Sequence, residues 1–479
     1  GALPFLLKEV NVPVFCTRLT RGLVDVKLKE HRMQEQTHIT VVECGNTVDV
    51  GSFRVEFFSV SHSIPDAAGL LIHTPMGTVV HTGDFKLDLN PVDGRRTDLA
   101  TIGAIAKDEG IRLLLADSTN ADQHGHSRSE TTVGRVLREV FAAHAGRRII
   151  TACFASHIHR VQQIADAAIE QGRVVATLGL SMKKNVRLAR ELGVLRIPDH
   201  QFRDINDLDG MPPGEVCVIS TGSQGEPMSA LARMAANESK WLELTPEDTV
   251  VLSSHPIPGN EMNVTKVIDA LFRLGVDVVH SGLEDVHATG HAKAEELKTM
   301  LSITRPEWFT PVHGEYHHLV SHARLAKTMG VKADHITVCE DGDQLVITDE
   351  GITKGGTVPA GYLYVDGAGV GDVGHGVLRD RRVLAEEGVV IVYVTIDFHA
   401  REVIGGPDVI SRGWVDEADS PDLLGECAAT VAAAVARVIE GDGAFDVEAL
   451  QKVVRRAAGQ FVTDRTRRRP MIVPLVLEI

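Results

Sequence analysis

The sequence predicts an α/β protein of two or three domains, and three observations lead there. At 479 residues and 51.8 kDa the chain exceeds what one hydrophobic core encloses. Between about 130 and 285, apolar β-branched runs alternate with segments of helical period, the pattern of a parallel sheet with helices on its faces. Shorter strand-like runs bounded by Gly, Pro or Asp lie on both sides of that segment.

In chain order, "FRVEFFSVSH" (53–62), "AGLLIHT" (68–74), "GTVVHTGDF" (77–85) and "IRLLLADST" (111–119) read as strands. The alternating segment follows. "RRIITACF" precedes the helical "HRVQQIADAAIEQG", "GRVVATLG" precedes "SMKKNVRLARELG", "EVCVISTGS" precedes "EPMSALARMAA", and "DTVVLSS" precedes "NVTKVIDALFRLG". Short strands return in "WFTPVH" and "HITVCEDGDQLVIT". Gly and Val dominate 351–376, which reads as a linker around a short strand. A last α+β unit holds the strand "GVVIVYVTIDF" (388–398), helices near 420–440 and 447–460, and the closing "RPMIVPLVLEI".

Composition narrows the function. No apolar run approaches the roughly 20 residues of a membrane span, and no charged-then-apolar leader opens the chain. Six scattered cysteines without a CxxC pair argue against disulfides and thiolate zinc, so a cytoplasmic location is expected. A net charge of −16 argues against a generic polyanion binder while leaving room for a local basic groove. At 4% aromatic content, extended stacking platforms for bases are not expected. Histidine stands out: 22 residues, many in tight groups.

Four groups could carry chemistry: His62 in "SVSHSIPD", Asp84 in "VVHTGDF", His287 and His291 in "VHATGHA", and His313 in "PVHGEYHHL". Singly, each has a plain reading. A strand-end Asp caps a turn more often than it binds a metal, and a lone His near a strand is usually a hydrogen-bonded core residue. His317 and His318 read as helix-surface residues. Together, His62, Asp84 and His313 each end an apolar run, and imidazole with carboxylate suits Zn²⁺ or Mn²⁺. A carboxylate shared by two metals about 3.5–4 Å apart activates water and clamps a phosphoryl oxygen. His287 and His291 flank Thr289 and Gly290 as a phosphate cradle around a Gly-permitted bend. Ser156 and His157 in "CFASHIHR" open a helix, where anions bind well. "STGSQGEP" (220–227) repeats the theme with Ser223, against an N-capped helix as the plain alternative; lacking a Lys, it is not a P-loop.

Eight segments in order, "SHSIPDAAG", "VVHTGDFKLD", "LLADSTNA", "CFASHIHRVQQI", "STGSQGEPMSAL", "SSHPIPGNE", "HATGHA" and "PVHGEYHHL", resemble the motif series of bacterial ribonuclease J. The resemblance runs from Gly1 to Ile479. It implies a metallo-β-lactamase αββα sandwich with an inserted β-CASP parallel α/β domain and a small C-terminal α+β domain. The implied division is 1–135 and 286–365 for the metal-binding fold, 136–285 for β-CASP, 366–387 for a linker and 388–479 for the last domain. His62, Asp84 and His313 match metal ligands, with Asp84 bridging two divalent ions, zinc or manganese. Asp117 matches the acidic β-CASP residue lining the site, and His291 the acid for the leaving oxygen. His287, Ala288, Thr289, Gly290 and His291 match the segment holding the substrate phosphate, and Ser156 and His157 a second phosphate contact.

The implied activity is metal-dependent cleavage of single-stranded RNA, from a 5′-monophosphate end and internally, in RNA maturation and decay. A homodimer or homotetramer and membership of an RNA-degradation assembly are further implications. Arg160, Lys183 and Lys184 are expected in an RNA groove, and the basic run "RTRRRP" (465–470) at a solvated helix end. One departure matters. The family carries a His-x-His-x-Asp-His motif just before a "GALPFLLKE"-like stretch, and this sequence contains none. The expectation is therefore a shortened, inactive chain with an unpaired sheet edge. Two rival readings are a metal-free structural subunit paired with an active paralogue, and hydrolysis of a small lactone or thioester on the same fold.

Overall fold

A computed structural model describes every residue except Gly1, Pro258, Ala368, 417–419 and 442–444. The chain forms two compact units, Gly1–Pro359 and Ala360–Ile479.

The first unit opens with helix α1 (Leu3–Glu9), strand β1 (Val14–Cys16), helix α2 (Arg18–Glu30) and strand β2 (Ile39–Val41), the two strands pairing in parallel. The sequence reading saw only short apolar runs here. Both helices are largely polar, burying Pro4 and Leu7 in α1 and Leu19 and Leu28 in α2, too few to set a clear helical period. Next come β3 (Thr47–Val50), β4 (Phe53–Ser59), β5 (Ala68–Thr74), β6 (Gly77–His81), α3 (Leu99–Asp108), β7 (Leu113–Asp117) and α4 (Glu130–Ala143).

The alternating segment supplies β8 (Arg148–Ala152), α5 (Ile158–Glu170), β9 (Val174–Leu178), α6 (Leu180–Glu191), β10 (Phe202–Arg203), β11 (Val216–Ser220), α7 (Ala230–Ala235), β12 (Asp248–Leu252), α8 (Glu261–Arg273) and β13 (Asp277–His280). Its six strands form one wholly parallel sheet in the order β10-β9-β11-β8-β12-β13. Adjacent strand residues serve opposite cores. Ile149 packs with α4, α5 and α6, whereas Ile150 packs with α7 and α8. Burial on both faces explains why these strands read as continuous apolar runs.

After it come α9 (Ala294–Thr304), β14 (Trp308–Val312), α10 (Tyr316–Thr328), β15 (Asp343–Ile347) and β16 (Ile352–Thr357). β14 returns to the first strands, completing a mixed sheet ordered β14-β7-β6-β5-β4-β3. Pairing is antiparallel from β3 to β6 and parallel through β6, β7 and β14. Val80, Leu114 and Phe309 face helices α3, α9 and α10, while their neighbours Val79 and Leu113 face the β15–β16 ribbon. "HITVCEDGDQLVIT" thus yields one strand, Asp343–Ile347, rather than a longer run.

The second unit holds β17 (Val365–Asp366), β18 (Gly369–Val370), α11 (His375–Glu386), β19 (Val389–Asp397), β20 (Glu402–Arg412), α12 (Pro421–Ile439), α13 (Val447–Thr466) and β21 (Met471–Glu478). The stretch 366–387, expected as a linker, contains α11. That helix buries no residue among those described, so it leaves no apolar period to read. The three-stranded sheet β20-β19-β21 packs Val390, Val392, Val394 and Ile396 against Cys427, Val431 and Val435 of α12 and Leu450, Val454, Ala458 and Val462 of α13. Spacing by two on the strand and by three or four on the helices is the signature of one buried face each.

Candidate metal and phosphate site

Strands β6, β7 and β14 are parallel neighbours, and the carboxyl ends of such strands are where α/β sheets present chemistry. β6 ends in Thr82-Gly83-Asp84. Gly83 has φ +62°, and a Cβ there would meet the Ala68 carbonyl oxygen at 2.9 Å, so glycine is needed twice over. The Thr82 hydroxyl accepts from the Asp117 N–H at 3.1 Å, tying the turn to β7.

Asp84 projects outward from this turn, with its two oxygens directed at different imidazoles. Oδ2 lies 3.8 Å from Nε2 of His62, and Oδ1 lies 3.7 Å from Nε2 of His313. Both separations are too long for hydrogen bonds and suit atoms that share an ion. His62 follows β4, and its Nδ1 lies 2.8 Å from the Gly290 carbonyl. A carbonyl only accepts, so Nδ1 carries the proton, and the unprotonated Nε2 accepts from the Ser63 hydroxyl at 3.2 Å while facing Asp84. Burial, with the charge of His291, holds the His62 pKa below its ordinary value. His313 follows β14 with φ +58°, a left-handed conformation that turns its half-exposed ring toward Asp84.

Asp117 is 2% exposed at the end of β7. Its Oδ2 receives Nδ1–H of His291 at 2.6 Å, and its Oδ1 receives the Thr119 N–H at 3.0 Å and hydroxyl at 2.7 Å. Burial pushes the Asp117 carboxyl up, but these partners outweigh it and lower its pKa. His291 is the reciprocal case: burial opposes its protonation, and Asp117 and Asp84 raise its pKa nonetheless. Ring centroids of His62 and His313 lie 5.0 and 5.4 Å from that of His291. Donor atoms of His62, Asp84 and His291 lie within 4.8 Å of one another, as do those of Asp117, His291 and His313. Oriented lone pairs facing a two-sided carboxylate fit divalent ions.

The 287–291 segment is laid across this site. Gly290 is not in the left-handed region, so it does not serve a bend. A Cβ there would stand 2.7 Å from the His62 ring, and the glycine is needed for that approach. Asn120 donates to the Thr289 hydroxyl at 2.9 Å and the His291 carbonyl at 3.1 Å. Ala288 is buried and His287 half-buried, and desolvation first, then the charges of Arg160 and His157, push His287 down to about 3.

Ser156 is exposed at the start of α5, but His157 is 3% exposed, with Nε2 3.4 Å from Glu130. Burial pushes its pKa down to about 4. Arg160 corrects the groove expectation outright: it is fully buried. One guanidinium nitrogen binds both Glu130 oxygens at 2.9 and 3.1 Å. The other donates to the Ser253 hydroxyl and carbonyl and, at 2.8 Å, to the Val286 carbonyl. Lys183 and Lys184 face Asp204 and Glu30 instead. His318 is likewise no surface residue. Its Nδ1 accepts the Glu315 N–H at 3.0 Å and caps α10, so its outward Nε2 carries the proton and offers Asp122 no metal lone pair.

Asn120, Glu130 and Ser253 escaped the sequence reading. Asn120 sits inside the quoted "LLADSTNA" and was readable as a polar residue past a strand end. Ser253 opens the quoted "SSHPIPGNE", but nothing local marks Glu130, whose partner is distant in sequence.

Family models match three stretches: "Ribonuclease J, beta-CASP domain" at 146–271, "Zn-dependent metallo-hydrolase RNA specificity domain" at 275–336, and "Ribonuclease J C-terminal domain" at 376–479. The chain is 39% identical over 477 residues to "Ribonuclease J 1" of Streptococcus pyogenes, covering 100% of this chain and 84% of that protein. It is 36% identical over 479 residues to "Ribonuclease J2" of Bacillus subtilis, covering 100% and 86%. To "Ribonuclease J" of Mycolicibacterium smegmatis it is 41% identical over 483 residues, covering 100% and 84%. With that likeness along its whole length, the chain belongs to the ribonuclease J family of metallo-β-lactamase-fold nucleases with a β-CASP insertion.

Proposed function

We propose that this metal-dependent ribonuclease acts on single-stranded RNA and that His62, Asp84 and His313 would hold two divalent ions, zinc or manganese, with Asp84 shared. Metal bound to the chain as given would overturn the inactivity expected from the absent His-x-His-x-Asp-His motif. The observation that carries the reading is the pair of Asp84 oxygens, each facing a different imidazole. When bound, such ions supply an activated water and charge for a phosphoryl oxygen. The remaining work falls to side chains. Asp117 holds Nδ1–H of His291, which leaves Nε2 free to deliver a proton to the departing oxygen. Thr289 and Gly290, fixed by Asn120 and His62, place backbone and hydroxyl groups along the phosphate, and exposed Ser156 meets the 5′-monophosphate. His157, buried, and His287, half-buried, stand behind that surface as neutral imidazoles. Exonucleolytic entry from a 5′-monophosphate, internal cleavage, a homodimeric or homotetrameric state and a cytoplasmic setting complete the reading. So does the division into a metal-binding fold at 1–135 and 286–365, a β-CASP domain at 136–285 and a C-terminal domain.

The test counts metal per chain by elemental mass spectrometry in the unsubstituted protein and in Asp84→Ala, alongside cleavage of 5′-monophosphorylated RNA. Loss of metal and of cleavage together in the variant is expected. Metal retained in Asp84→Ala would place the ions elsewhere. RNA bound but not cleaved by an unsubstituted chain that retains no metal even when zinc or manganese is supplied would support the structural-subunit reading instead.

A further inference from the structure

On the β-CASP sheet, away from the metal residues, lies a concave pocket of about 360 Å³ at the carboxyl ends of β9 and β11. Its wall is Trp241, whose 55% exposure is unusual for the largest apolar side chain. The backbone that carries the indole is anchored. The Ser239 hydroxyl accepts the Trp241 and Leu242 N–H groups at 3.3 and 3.4 Å, and Leu242 packs into the core below. The floor is equally fixed: Gly179, with φ +103°, lies so close to Thr221 that a Cβ would meet its hydroxyl at 2.3 Å. Exposed Leu180 and Met228 form apolar rims. One cation stands over the ring and a second lines the pocket. Lys183 Nζ stands 5.6 Å from the ring centroid, and Arg233 lines the same pocket. Lys183 is only loosely engaged, 3.7 Å from a half-exposed Asp204, a pairing that a phosphate can displace.

We propose that this pocket is a stacking subsite for one base of the bound RNA, with Trp241 as the platform and Lys183 and Arg233 receiving the adjoining phosphate. This rests on the RNA-cleaving reading above. A π-face whose covering cation can move onto a phosphate, in a chain of net charge −16, fits a base joined to a phosphate. The position fits as well. β9 pairs with β11 and β11 with β8, whose carboxyl end carries the Ser156 loop. Two strand spacings make about 10 Å. The pocket and the Ser156 loop thus open on the same, carboxyl edge of one sheet, within the span of a short oligonucleotide.

The test uses the full chain without added divalent metal, fluorescein-labelled 5′-monophosphorylated oligouridylates of two and eight nucleotides, and binding read by anisotropy. Trp241→Leu is expected to weaken octanucleotide binding about tenfold. Trp241→Phe, which keeps a stacking ring, should stay close to the unsubstituted chain, and the dinucleotide, too short to reach the pocket, should bind all three proteins alike. Equal octanucleotide binding by Trp241→Leu overturns the subsite while leaving the RNA-cleaving reading intact. Equal loss at both lengths, or equal loss in the Leu and Phe variants, also overturns it. Failure of the unsubstituted chain to bind the octanucleotide overturns both readings.

Discussion

At Gly290 the absence of a side chain decides the state of a neighbouring one. The His62 ring lies where a Cβ of residue 290 would be, and the Gly290 carbonyl fixes the tautomer that leaves Nε2 unprotonated. Gly290→Ala should therefore cost about 1–3 kcal/mol as the ring is displaced, and it should abolish metal binding while the chain still folds. Metal content, measured beside a far-ultraviolet circular dichroism melt, checks both halves. A variant that keeps its metal would show that His62 is not held by this contact. The same scale answers what Asp84 does. No hydrogen bond from its side chain to the turn backbone is found among the described residues, whereas Asp98 and Asp446 at helix starts each accept one. That difference separates a capping acid from one directed outward.

At the scale of elements, the 287–291 segment is braced from the β-CASP side. The Val286 carbonyl receives Arg160 at 2.8 Å and the Ser253 hydroxyl at 2.6 Å, so α5 and the end of β12 both hold the chain just before His287. Glu130 of α4 neutralises the guanidinium. Removing one partner from such a pair leaves a buried charge, so Glu130→Ala should lose about 3–5 kcal/mol. Glu130→Leu with Arg160→Met should recover much of that stability, yet still release the 286–291 segment. Hydrogen exchange at 286–291 is the discriminating measurement, since recovered stability with unchanged protection there would deny the brace.

This level also marks where the sequence became illegible. Strand ends such as "VVHTGDF" could be read because a β-branched run, a glycine and an acid are adjacent. The parallel sheet could be read because each apolar run is followed by its own helix. Arg160 could not, because an arginine on a helix reads as solvated, and the groups that accept it lie 30, 93 and 126 residues away. Helix α11 was missed for the opposite reason: it buries nothing, so no period betrays it.

Over the whole molecule, buried neutral histidines couple stability to pH. Burial lowers His157 to about 4 and His322, which lies beneath the site beside Ser118, to about 3. Both are imidazoles whose folded pKa lies below the unfolded value near 6.5. Below pH 6.5 the unfolded chain binds protons that the folded chain refuses, so stability falls as pH drops. At pH 5 the deficit is about 1.5 pH units for each group, or about 2 kcal/mol apiece. Glu130 adds a later loss. Burial alone would raise its pKa, but Arg160 and His157 hold it well below the ordinary value, so its contribution disappears only under more acid conditions. Urea melts at pH 7.5, 6 and 5 should therefore show unfolding free energy declining once the pH falls below about 6.5. His322→Phe, which keeps the ring volume without the titrating nitrogens, should remove about a third to a half of the decline between pH 6.5 and 5. An unchanged slope in that variant would mean that the folded chain protonates His322 without penalty.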